Sequence, residues 1–138
     1  MKVKNKKKLE KEQVKYPVFS FQYIDLSSKQ YSIEYFQKNK GLPIVSVFGS
    51  LFDKLKRISS VPLLDLADTG KVAAFETLSY SQFDQKLQNL FRSVQLAPDA
   101  KLTVFRFCQQ KCRLICSSDD NIFYILAFDF NFSAYDHG

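Results

Sequence analysis

The hydrophobic pattern is clearest between Lys101 and Phe132, where three strand-like runs follow one another. Leu102, Val104, Arg106 and Cys108 alternate with Thr103, Phe105 and Phe107, the period of a strand covered on both faces. Gln109, Gln110 and Lys111 interrupt the run. Cys112, Leu114 and Cys116 then fall on one face of a second strand and Arg113 and Ile115 on the other. Ser117-Ser118-Asp119-Asp120-Asn121 follows with side chains that bond their own backbone, which predicts a hairpin. The third run puts Tyr124, Leu126, Phe128, Phe130 and Phe132 on one side and Phe123, Ile125, Ala127, Asp129 and Asn131 on the other. Its length and aromatic content predict a central strand.

Upstream, strand and helix signals alternate. Val18 to Ile24 places Phe19, Phe21 and Tyr23 on one face behind Pro17, which is tolerated at a first or edge position. From Ser46, an N-cap residue type, Val47, Phe48, Leu51, Phe52, Leu55 and Ile58 recur at helical spacing. Leu63 to Asp68 reads as a helical turn and Val72 to Leu78 as a strand. Ser81-Gln82-Phe83-Asp84 resembles a capping box, after which Phe83, Leu87, Leu90, Phe91 and Val94 form one apolar stripe that stops near Pro98. Together these elements predict an α+β fold: an antiparallel sheet of four to five strands with two or more helices packed mainly on one face. The other face, or one end of the sheet, is then left for binding.

Charge divides the chain. The net charge is +6 over 138 residues, yet residues 1–15 hold seven Lys against Glu10 and Glu12, leaving a single net positive charge for the rest. The expected organisation is a basic flexible tail over 1–15 and one α+β domain over 16–138. Such a tail cannot bury enough apolar surface to offset its ordering entropy, and Lys6, Lys7 and Lys8 would attract phosphates without regard to sequence. No apolar stretch approaches the roughly 20 residues of a membrane span, and the Lys-rich start lacks a secretory pattern. A cytoplasmic protein without a membrane partner is the expectation.

Few residues suggest chemistry. Cys108, Cys112 and Cys116 lie four apart, whereas zinc sites pair their cysteines more closely and need a fourth ligand, so they read as reduced apolar thiols and no metal or cofactor is expected. Glycine-rich phosphate loops, nucleophile elbows and metalloprotease helices are absent from the sequence. His137 is the only histidine and shares a strand face with Tyr135; its imidazole titrates near neutral pH and suits proton exchange with an RNA hydroxyl. Arg106 and Arg113 sit within apolar strands, where each requires either a carboxylate partner, Asp129 first among them, or a phosphate at the sheet rim.

The run Arg113-Leu114-Ile115, the strand Ile122-Phe123-Tyr124-Ile125-Leu126 and the terminal Tyr135-Asp136 resemble the end of RelE/HigB-type toxins, the ribosome-associated mRNA interferases of bacterial toxin–antitoxin modules. The likeness spans about 30 residues. It implies a compact sheet presenting basic residues and a Tyr to mRNA, with Arg113 and Tyr135 at the matching positions. HigB-like members carry a His three residues before the Tyr-Asp pair; this chain has Phe132 there, and its histidine follows as His137. The ending is also similar to short proteins of phages and mobile elements.

The resulting expectation is a metal-independent endoribonuclease acting on RNA or at the ribosome. Tyr135, His137 and Arg113 would be catalytic, and Arg106, Lys111, Lys6, Lys7 and Lys8 would hold RNA. The resemblance also implies an antitoxin partner. The alternative is a non-catalytic module that binds nucleic acid through stacked aromatics or a protein through an apolar patch, as a phage-encoded inhibitor would.

Overall fold

The five strands of the computed structural model form one sheet in the order β1-β5-β4-β3-β2: β1 Val18–Ser20, β2 Phe75–Ser79, β3 Lys101–Phe107, β4 Cys112–Asp119 and β5 Ile122–Asp129. Residues 13–26, 30–33, 43–68, 75–130 and 134–135 are described. Strands β2 to β5 pair antiparallel in succession, while β1 joins the outer side of β5 in parallel, with Val18, Phe19 and Ser20 beside Ile122, Phe123 and Tyr124. The expected α+β architecture is therefore present, with one parallel pair in a mostly antiparallel sheet. Strand β1 is shorter than the apolar run Val18 to Ile24, because the chain turns after Ser20 and Ile24 N–H donates to the Phe21 carbonyl.

Helix α1, Ile44–Ser59, begins two residues before Ser46, with Pro43 at its N-cap. Proline suits a helix start because the missing N–H would find no partner within the helix there. Leu63–Asp68 forms a 3₁₀ helix. The capping box falls on Ser79 and Gln82, bracketing the 3₁₀ turn Tyr80–Gln82, and Asp84 caps helix α2, Gln85–Ser93, by accepting from Lys86 N–H at 2.8 Å. The stripe predicted from Phe83 is thus divided between a turn and a helix.

The two helices divide between the faces of the sheet instead of sharing one. Val47, Leu51 and Ile58 of α1 join Leu66, Phe105, Phe107, Cys112, Leu114, Cys116, Phe123, Ile125, Phe128 and Phe130 in one core layer. Leu87 and Phe91 of α2 join Tyr31, Tyr80, Phe83, Leu102, Val104, Ile115, Leu126, Ala127, Ala134 and Tyr135 in the other. The cause lies in β3 and β4, which are apolar on both faces. A helix on one face alone would have left Leu102, Val104 and Ile115 in water, at a cost of roughly 25 cal/mol per Å² of apolar surface.

A bulge overturns the strict alternation expected for β5. The register runs Ile115 to Ala127 and then Cys116 to Ile125, leaving Leu126 as the extra residue. Leu126 and Ala127 consequently both join the α2 layer, and Phe128 and Phe130 join Phe123 and Ile125 beneath α1. A bulge of this kind flips every later side chain to the opposite face. It brings Asp129 directly opposite Arg113.

Candidate functional site

Four charged side chains line up across the end of the sheet on the α2 face. Arg106 of β3 is in register with Arg113 of β4, Arg113 with Asp129 of β5, and Glu76 of β2 with Val104, two residues from Arg106 on the same face. Two like charges directly opposite on neighbouring strands repel. The carboxylates on either side turn the row into an alternation of one negative, two positive and one negative charge, which is neutral overall.

The C-terminal segment closes the row. Ala134 N–H donates to Asp129 Oδ2 at 3.0 Å, Asp84 N–H donates to the Ala134 carbonyl at 2.7 Å, and Tyr135 forms an isolated antiparallel bridge with Phe83. These bonds place the Tyr135 ring edge-on to Phe83, with its centroid 5.8 Å from the Arg113 guanidinium carbon. Arg113 Nε donates to Tyr135 Oη at 2.9 Å, and Tyr135 Oη donates to Glu76 Oε1 at 2.7 Å. Arg106 Nη2 donates to the same Glu76 oxygen at 2.7 Å, and Arg113 Nη1 donates to the Gln110 carbonyl at 3.2 Å. Arg113 and Tyr135 are 3% and 8% exposed, while the Glu76 and Arg106 side chains are 32% and 33% exposed. The buried pair thus backs a carboxylate–guanidinium pair that reaches solvent.

Electrostatics follow from that layout. Burial alone pushes the Glu76 carboxyl up, but hydrogen bonds from Arg106 and Tyr135 and the charges of both arginines outweigh it, so the net shift is downward from 4.5. Burial and the bond to Glu76 push the Tyr135 phenol up to about 12, against the opposing pull of Arg113. Glu76 keeps Arg106 protonated, chiefly through their hydrogen bond. Arg106 Nε is buried with no hydrogen-bond partner among the described residues. An unmet donor of this type costs about 1–3 kcal/mol.

The Tyr135 shift gives a direct measurement. The phenolate absorbance difference between wild type and Tyr135→Phe is expected to rise with a midpoint near pH 12 instead of the ordinary 10. Because the folded value is raised, the stability linked to this phenol is fully present below pH 10 and is lost as pH climbs through 12. A difference midpoint at 10 would place the phenol in water.

The structure brings Arg106, Arg113 and Tyr135 together and leaves Lys111 exposed on the adjoining β3–β4 turn. His137, Lys6, Lys7 and Lys8 lie outside the described residues, although Lys15, the last residue assigned to the tail, pairs with Asp120. Of the two arginines expected to seek Asp129, Arg113 faces it and Arg106 binds Glu76 instead. Glu76 was missed by sequence reasoning; its only signal was a lone carboxylate in the short strand pattern ahead of α2. Among the described residues no cluster of three or more His, Cys, Asp or Glu is placed to hold a metal ion, and no helix is long and apolar enough to cross a membrane. No family model matches the chain, and no curated protein or solved structure is similar to it.

Proposed function

We propose that the chain is an RNA-cleaving toxin of the RelE/HigB kind, encoded by a bacterial or phage mobile element, and that Glu76 and Arg106 are the groups that meet the RNA. The observation that supports this most is the double acceptance at Glu76 Oε1, which ties the carboxylate to Arg106 and to the Tyr135–Arg113 pair behind it. Both bonds fall on one oxygen, and Oε2 takes part in neither. In the proposed reaction the RNA 2′-oxygen attacks the adjacent phosphorus and its proton passes to Glu76 Oε2. The 5′-oxygen departs and takes a proton from water, leaving a 2′,3′-cyclic phosphate. A carboxylate held below its usual range is a weak base, so positioning and the guanidinium charge of Arg106 would carry most of the rate. Tyr135 and Arg113 are positioning residues, and Lys111 with Lys6, Lys7 and Lys8 adds attraction for the backbone phosphates.

Inducible expression in bacteria with transcript-end mapping tests the reading. Wild type is expected to generate new transcript ends and arrest growth, and Glu76→Gln to lower cleavage by about 100-fold, the low end of a general base's contribution, as suits a weak base. Tyr135→Phe is expected to lower cleavage less, with the melting temperature measured alongside each variant. A Glu76→Gln protein that cuts like wild type overturns the proposal. A protein-binding module is the second reading, favoured by Val45 and Phe52, which are 82% and 66% exposed on α1. It takes over if wild-type expression leaves transcripts intact.

A further inference from the structure

The turn between β3 and β4 carries a feature that the proposed chemistry leaves unused. Cys108, Gln109 and Gln110 have φ of 54°, 55° and 67°, three consecutive non-glycine residues in the left-handed region. Such residues visit that region singly, so the turn is strained and held by outside bonds. Cys108 N–H donates to Ser50 Oγ of α1 at 2.7 Å, Lys111 N–H donates to the Cys108 carbonyl at 3.0 Å, and the Gln110 carbonyl receives Arg113 Nη1. Cys108 and Cys112 bracket the turn. Cys108 is half-buried and Cys112 is fully buried; Cys108 directly follows Phe107, the β3 partner of Cys112, and both cysteines pack in the layer beneath α1. Burial foremost, with the nearby Cys108 thiol adding to it, pushes the Cys112 thiol up to about 12, so it stays protonated. Cys116 is buried farther along β4, about 13 Å from Cys112 at the rise of an extended strand.

We propose that Cys108 and Cys112 are a peroxide-responsive dithiol that closes to an intramolecular disulfide across the β3–β4 turn. The roles follow from access. Solvent reaches Cys108, whose thiolate attacks one oxygen of the peroxide; the O–O bond breaks, Cys108 becomes a sulfenic acid, and hydroxide leaves. The Cys112 sulfur then attacks Cys108 Sγ, the S–O bond breaks, and the Cys112 proton leaves with the hydroxyl as water. The net change is two thiols and one peroxide to one disulfide and two waters. The peroxide is reduced and the two sulfurs are oxidised. The bond would brace a turn whose Gln110 carbonyl anchors Arg113, so the thiol state bears on the row of charges beside it.

The sequence supplies a direct assay. Trypsin cuts after Arg106, Lys111 and Arg113, so Cys108 and Cys112 end in separate peptides that remain joined only if a disulfide links them. Full-length protein treated with one equivalent of hydrogen peroxide, then alkylated and digested, is expected to lose two of its three thiols. It should yield the joined 107–111 and 112–113 peptides, which separate on reduction. Cys108→Ser is expected to leave Cys112 reduced at the same peroxide dose, and Cys112→Ser to stop at a Cys108 sulfenic acid trapped by a 1,3-dione. Wild-type Cys108 recovered as sulfinic acid, as a disulfide between two chains, or still reduced would overturn the proposal.

Discussion

Phe105→Ala is expected to destabilise the protein by about 3–5 kcal/mol, the range for deleting a fully buried aromatic ring. Phe105 has no exposed surface, and its ring meets Phe19 of β1 at 6.0 Å, Phe75 of β2 at 5.8 Å and Phe123 of β5 at 5.5 Å between centroids. One side chain therefore joins both edge strands to the interior of the sheet beneath α1. The hydrogen-bonded strands hold the walls of the resulting cavity apart, so little of the lost contact can be recovered by collapse. Phe105→Leu keeps most of the volume and should cost about half as much or less. Urea unfolding at unchanged m-value measures both, and typical domain stabilities of about 5–15 kcal/mol make the alanine loss a large fraction of the total. A loss below about 1 kcal/mol for Phe105→Ala would mean that this aromatic cluster is not the centre of the core.

The same strand shows how far the sequence could be read. Leu102 and Val104 on one set of alternate positions and Phe105 and Phe107 on the other imply burial on both faces, but helix count alone does not assign faces, so the pattern leaves open which helix covers which. Strand β5 was legible as an element and misleading in register. Nothing in Ile122 to Phe132 marks Leu126 as the bulged residue, since Ile125, Leu126 and Ala127 are all apolar and any of them could have been the extra one. That single residue decides which layer Phe128, Asp129 and Phe130 enter. Arg106, Arg113 and Tyr135 could be picked out because charge within an apolar strand demands a partner and because the chain ending resembled a known pattern. Glu76 could not, since its importance comes from the pairing of β2 with β3, a contact between residues about 30 positions apart that has no local signature.

Arg113→Ala is expected to cost about 3–5 kcal/mol, because removing one partner of a buried charge row leaves the others uncompensated. Asp129, 1% exposed and directly opposite, would keep its charge facing an apolar gap. Tyr135 would lose the donor to its oxygen, and Glu76 one of the positive charges that hold its carboxyl down. Arg113→Met fills the space but not the charge, so it should recover the packing part only. Adding Asp129→Asn to Arg113→Met removes the stranded negative charge and keeps an acceptor for Ala134 N–H, so the double variant should be more stable than Arg113→Met alone. Acid unfolding gives an independent sign. The Glu76 carboxyl is lowered in the folded protein, so its stabilisation is present above pH 4.5 and is lost as pH falls through the lower folded value; without Arg113 that lowering shrinks and the acid-linked loss becomes smaller. If Asp129→Asn instead worsens Arg113→Met, the row is held by hydrogen bonding at Asp129 rather than by charge, and the buried arginine is tolerated for reasons other than its carboxylate neighbours.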